Sequence, residues 1–179
     1  EVLYSTPSQE YPFSNLEVYF IDSLTHNSYV DYSIILDEGN NFISFWNLPI
    51  DNSIENIFSS VNNVFHIIGE SYASQNLGNN DWVGSLNYIE RTKGYWIRAN
   101  SEETLNISGI PSEEGLLYEL GNIYPEVNFI SYPFPIQNNI EDALPDDIEN
   151  NFFGIIVEGM ASQRVGSEWV GTLSHFEGT

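Results

Sequence analysis

A chain of 179 residues with 41% hydrophobic and 15% aromatic side chains is long enough to bury a core, which argues against intrinsic disorder. Its 26 Asp and Glu against four Lys and Arg give a formal charge of -22, and a surface this negative repels phosphate backbones and anionic lipids, so nucleic acid and polybasic membrane attachment are excluded. Zero cysteine removes disulfide scaffolds, thiolate zinc sites and cysteine nucleophiles together, and no apolar run approaches the ~20 residues of a spanning helix.

Residues 1–31 share no pattern with the rest of the chain. Leu16 to Ile21 alternates as a strand with which Tyr29 to Tyr32 pairs, so the segment is either an edge hairpin or the end of a preceding domain. Glu1 to Glu10 carries neither a basic n-region nor an apolar h-region, so a secretion signal would lie outside this sequence. Tyr32 to Leu36 and Phe42 to Phe45 are β-branched and aromatic runs separated by the turn signal Asp37-Glu38-Gly39-Asn40, which predicts adjacent strands. Asp51, Asn52 or Ser53 caps a short amphipathic helix, because Ile54, Ile57, Phe58 and Val61 recur at three- and four-residue spacing. Val64 to Ile68 is a buried strand, Gln75 to Asp81 a polar loop, and Val83 to Ile89, Tyr95 to Ala99 and Thr104 to Ile107 are three further strands.

The pattern then repeats. Asn41-Phe42-Ile43-Ser44-Phe45 returns as Asn128-Phe129-Ile130-Ser131-Tyr132, Ile67-Ile68-Gly69-Glu70 as Ile155-Ile156-Val157-Glu158, and Ala73-Ser74-Gln75 as Ala161-Ser162-Gln163. Trp82-Val83-Gly84-Ser85-Leu86 returns as Trp169-Val170-Gly171-Thr172-Leu173, with all offsets between 86 and 88 residues. The second copy has a helix near Ile140 to Leu144, stopped or kinked at Pro145. Thr179 falls opposite Thr92, so the second copy stops where Lys93-Gly94-Tyr95-Trp96 begins in the first, and the natural protein is expected to continue with a Gly-Tyr-Trp-like strand. The expected organisation is an N-terminal segment 1–31, repeat 1 over 32–113 and a truncated repeat 2 over 114–179, joined near Glu113 to Gly115. The fold class is α+β, mainly β, with two tandem units of short strands plus one short helix each, packed in a pseudo-twofold relation.

Duplication preserves core and turn residues first, so Trp82, Trp169, Tyr95 and Trp96 are expected to anchor strands, with Trp46 similar. Exposed in a row, such rings would instead form a sugar-stacking platform. Glu70 and Glu158 recur after an Ile-Ile strand and are expected to accept backbone N–H bonds from the loop that follows. Their rival role is a glycosidase pair, which needs carboxylates about 5 to 9.5 Å apart in unequal environments, something symmetric placement disfavours. Asp51, Asp81, Asp146 and Asp147 lie in oxygen-rich loops suited to calcium, but no Asp-x-Asp-x-Asp-Gly loop occurs, so no cofactor is assigned. His26, His66 and His175 lack metal-type spacing, and Gly69-Glu70-Ser71-Tyr72-Ala73 lacks the central serine and closing glycine of a nucleophile elbow.

Together, Gly39-Asn40-Asn41-Phe42-Ile43-Ser44-Phe45, Ile67-Ile68-Gly69-Glu70, Trp82-Val83-Gly84-Ser85-Leu86 and Lys93-Gly94-Tyr95-Trp96 resemble tandem-repeat modules of large secreted or surface proteins of marine bacteria and environmental sequences. The resemblance spans Tyr32 to Thr179, implies a modular, extracellular or cell-surface setting, and carries over no catalytic residues; Val157 departs from it where Gly69 stands in the first copy. Abundant acid with little lysine also suits salty surroundings, where surface charge is screened within about 8 Å. The sequence therefore predicts a non-catalytic module for display, adhesion or ligand binding, with an extracellular glycan or protein as partner. A carbohydrate-binding accessory module and a glycosidase fragment are the alternatives, and the ligand-contact candidates are Trp82, Trp169, Glu70, Glu158, Tyr95 and Trp96.

Overall fold

The computed structural model describes residues 29–112, 116–121 and 127–177, so Leu16 to Ile21 and the junction at Glu113 to Gly115 lie outside the described residues. In chain order the elements are β1 (Val30–Leu36), β2 (Gly39–Ser44), β3 (Asn47–Leu48), α1 (Ile54–Ile57), β4 (Val64–Ile68), β5 (Ala73–Asn76), β6 (Trp82–Gly84), β7 (Gly94–Ala99) and β8 (Glu103–Pro111). There follow β9 (Asn138–Asn139), α2 (Ile140–Ala143), α3 (Asp146–Glu149), β10 (Gly154–Val157), β11 (Met160–Val165), β12 (Glu168–Gly171) and β13 (His175–Phe176). The architecture is mainly β, with antiparallel sheets and short helices, as the residue patterns predict.

Two sheets and α1 enclose the core. One sheet has the order β1-β8-β3, the other β2-β7-β4-β5-β6. Alternation decides which side chains enter: in β1, Ile34 and Leu36 are buried while Ile35 between them is 69% exposed. Leu105 and Ile107 of β8 meet Ile43, Ile67, Tyr95, Ile97 and Ala99 of the larger sheet in a single cluster. Asn41 also faces inward, and its amide satisfies both the N–H and C=O of Asp37 at 2.8 and 3.0 Å, closing the β1–β2 turn in which Gly39 takes φ 111°.

The helical spacing identifies the buried residues but overstates the helix. Ser53 caps α1 by accepting from Asn56 N–H at 3.4 Å, the helix ends at Ile57, and Phe58 and Val61 reach the core from the turn that follows. Three other expectations need correction. Gln75 and Asn76 complete β5, so the loop is the tighter turn Leu77 to Asp81, with positive φ at Gly78, Asn79 and Asn80. Val83 to Ile89 is not one strand: β6 ends at Gly84, and Ser85 and Leu86 both donate to Ala73 O, at 2.8 and 3.3 Å, which turns the chain away. The second part of the chain has two short helices rather than the one expected: α2 stops before Pro145, as expected, and Pro145, with no N–H to contribute, is the N-terminal boundary residue of α3.

Beyond residue 127 the chain forms a second meander, β10-β11-β12. Its register sets Ile155 against Ser162, Ile156 against Ala161, Ser162 against Gly171 and Arg164 against Trp169. In β4-β5-β6, Ile67 lies against Ser74, Ile68 against Ala73, Ser74 against Gly84 and Asn76 against Trp82. Ser74 Oγ donates to Leu86 O at 2.6 Å, and Ser162 Oγ donates to Leu173 O. A Cβ on Gly84 would collide with Ala73 O and Ser74, and one on Gly171 with Ala161 O and Ser162. Gly84→Ala is accordingly expected to lower unfolding stability by roughly 2 kcal/mol, as overpacking does, and an unchanged urea midpoint would show that this close approach is absent.

The two meanders differ in what covers them. In 127–177 the buried aliphatic side chains are Ile140 and Leu173, with Pro133 also covered, and none joins the main cluster. β4 is flanked by β5 and β7, whereas β10 is paired, among the described residues, only with β11.

Candidate functional site

The recurrent acidic residues meet at a seam between the two parts of the chain. Glu70 follows β4, where Gly69 N–H donates to Tyr72 O at 2.8 Å and turns the chain. Its Oε2 accepts the N–H of Phe129 at 3.2 Å, and Lys93 Nζ lies 3.8 Å from the same oxygen. Glu158 follows β10, and its Oε2 accepts the N–H of Phe42 at 2.9 Å. Both carboxylates thus take backbone N–H groups, but from the opposite half of the chain rather than from the loop following each of them, which corrects the sequence-based expectation. Phe42 and Phe129, the two donors, are themselves counterparts in the repeated Asn-Phe-Ile-Ser segment.

Further bonds close the seam. Gly94 N–H donates to Phe129 O at 2.9 Å, Ser131 N–H to Thr92 O at 3.2 Å, and Ser131 Oγ to Arg91 O. The Phe42 and Phe129 rings meet edge to face at 5.6 Å between centroids, and Phe42 tilts against Trp96 at 4.9 Å. Gly94 is required here, since a Cβ would lie 2.8 Å from Phe42 Cζ and 3.0 Å from Ile130 O.

The four nominated rings lie in four different environments. Trp82 packs on Phe58 at 5.8 Å and donates its indole N–H to Asn80 Oδ1 at 2.8 Å. Asn80 in turn donates to Glu55 O at 2.7 Å, so the polar turn docks on α1. Trp169 donates to Glu149 Oε1 at 2.5 Å and lies under the Arg164 guanidinium, 5.5 Å from the ring centroid. Tyr95 is 2% exposed, packs edge-on against Phe45, and its hydroxyl accepts Glu90 N–H at 2.8 Å. Trp96, one residue on, points to the opposite face of the sheet and is half-buried beside Phe42. Two surface depressions, of about 450 and 180 Å³, are lined by residues other than the six nominated, among them Leu48, Pro49 and Arg91 in the larger.

Burial raises the Tyr95 phenol to about 12, and it raises Tyr32 as well. An unfolded tyrosine ionises near pH 10. Between about pH 10 and 12 the folded state therefore holds a proton that the unfolded chain has released, and stability falls as pH rises through that window. Tyr95→Phe should show a shallower loss of urea stability over this range, and an identical alkaline slope in both proteins would contradict the assignment.

Of the aspartates considered for calcium, Asp51 serves locally. Asp51 accepts Ser53 N–H at 3.1 Å, and hydrogen bonds from Ser53, side chain before backbone, hold its carboxyl below the usual range. Among the described residues no group of three or more His, Asp or Glu is arranged to hold a metal ion. Nor, among them, is any helix long and apolar enough to cross a membrane. The ion pair of Glu149 with Arg164 left no mark in the recurring residues, because the position matching Arg164 in the first meander is the uncharged Asn76. No family model, curated protein or solved structure matches the chain.

Proposed function

We propose that this chain is a non-catalytic, two-unit module of a longer extracellular or cell-surface protein, serving display, adhesion or ligand binding, with its units related by a pseudo-twofold axis. The observation that carries the reading is the exchange of contacts across the seam: Glu70 takes Phe129 N–H and Glu158 takes Phe42 N–H. When each half gives and receives the same contact, the pair closes on itself as an isologous interface does. Carboxylates engaged with backbone amides of the opposite half hold the units together, and Glu70 is also beside a lysine. The charge of -22 and the resemblance to secreted marine modules support the extracellular setting and a glycan or protein partner.

The test separates holding from chemistry. Glu70→Ala and Glu158→Ala should each cost about 1 kcal/mol in urea unfolding, with Glu70→Gln and Glu158→Gln recovering most of the loss because an amide oxygen still accepts. A glycoside or ester turnover that survives purification and disappears in a stably folded Gln variant would overturn the reading in favour of a glycosidase fragment. One observation favours the carbohydrate-binding alternative: Trp96 and Phe42 place two tilted rings on the outer sheet face. Glycan-array binding abolished by Trp96→Ala, in a protein of unchanged thermal midpoint, would establish it.

A further inference from the structure

β10 and β4 share a register to their hairpin partners and differ on the other edge. Along β4, β7 pairs Ile97 with Ile67, Trp96 with Ile68 and Arg98 with His66, and the Arg98 guanidinium covers the Phe65 ring at 5.5 Å. Ile67 is fully buried in the main cluster, and Ile68, on the other face, is 48% exposed. At the matching positions of the second meander, Ile155 is only half-buried, Ile156 is 76% exposed and Phe153 is 71% exposed. Among the described residues, β11 alone pairs with β10. An open, apolar strand edge is a template for another extended chain, with main-chain bonds supplying affinity and alternate side chains supplying choice.

We propose that the open edge of β10 is an acceptor for an extended basic strand of the kind Gly94–Ala99 represents: small, aromatic, aromatic, aliphatic, arginine, small. The occupant runs antiparallel to β10, with its aliphatic residue opposite Ile155, its second aromatic opposite Ile156 and its arginine opposite Gly154, over Phe153. Two things select this chemistry. The β4–β7 pairing shows what a matching edge accepts. The net charge of -22 favours a cationic strand over an acidic one at long range. The inference rests on the two-unit reading, but its readout is local to β10 and independent of the glutamate variants.

The probe is a capped synthetic peptide, Lys-Gly-Tyr-Trp-Ile-Arg-Ala, titrated into the whole chain. Saturating peptide should slow amide exchange at least tenfold in fragments covering residues 152–158, with much less change over β5. In a strand successive N–H groups point to opposite sides, so two N-methylated peptides provide the control, one modified at its tyrosine and isoleucine, the other at its tryptophan and arginine. One should bind like the parent and the other at least tenfold more weakly. A scrambled peptide of the same composition should fail to protect β10. Equal binding by both methylated peptides, equal loss by both, equal protection by the scrambled sequence, or protection centred elsewhere would each overturn the proposal, and none of these experiments alters the fold of the protein.

Discussion

Phe58→Ala is expected to lower the unfolding free energy by about 4 kcal/mol, a large share of the roughly 5–15 kcal/mol that holds a domain together. Phe58 is 1% exposed and stands just beyond α1, among Ile54, Ile57 and Val61, with Trp82 against its ring. Removing the ring takes away its transfer energy and leaves a cavity, because α1 is tied to the chain after β6 by Ile54 N–H on Asn87 O and cannot collapse freely into the gap. Equilibrium urea unfolding measures the effect. Phe153→Ala is the internal comparison: that ring is 71% exposed, and its loss should change stability by less than about 0.5 kcal/mol. Equal effects from the two substitutions would mean that the core is not where the fold puts it.

The second large effect is electrostatic. Glu149→Ala should cost about 3 kcal/mol, in the range found when one partner of a buried pair is removed. Arg164 engages both oxygens of Glu149, at 2.7 and 2.8 Å, with the two side chains only 10% and 13% exposed. The same carboxylate receives the Trp169 N–H. The single substitution strands a covered guanidinium and an indole N–H together, while α3 loses its tie to β11 and β12. Replacing both charges, as Glu149→Leu with Arg164→Met, should return stability to within about 1 kcal/mol of the parent, since the desolvation cost leaves with the charges. Trp169 fluorescence offers a second readout, because the guanidinium stacked on it departs only with Arg164. A single variant as mild as the double would show that the pair contributes nothing at this place.

Strand positions were largely legible wherever one face is wet. Ile34, Leu36, Ile43, Ile67, Tyr95, Ile97, Leu105 and Ile107 are apolar residues in runs that alternate or form short β-branched stretches, and all are buried in one cluster. The helical spacing of Ile54, Ile57, Phe58 and Val61 identified four core residues while overestimating the helix, because a turn following one helical cycle presents nearly the same face. Strand ends were harder. β6 stops at Gly84 because Ala73 O draws in the amides of Ser85 and Leu86, a backbone event to which the side chains of Val83 to Ile89 give no sign. Of the site, the sequence singled out Glu70 and Glu158 but not the amides they hold, since every residue other than proline carries the same N–H.

The sequence by itself determined the mainly β character, the identity of most core residues and the recurrence of Glu70 with Glu158, because burial and turn chemistry leave marks in side-chain type and spacing, and recurrence is a property of the residues alone. Only the tertiary structure decided that each carboxylate bonds across the seam, that Trp82 and Trp169 have their N–H groups held by Asn80 and Glu149, and that β10 meets no second strand among the described residues. Those outcomes depend on which donor and acceptor atoms come within about 3 Å of one another. Hydrogen bonds act only at that range, and separation along the chain carries no record of it.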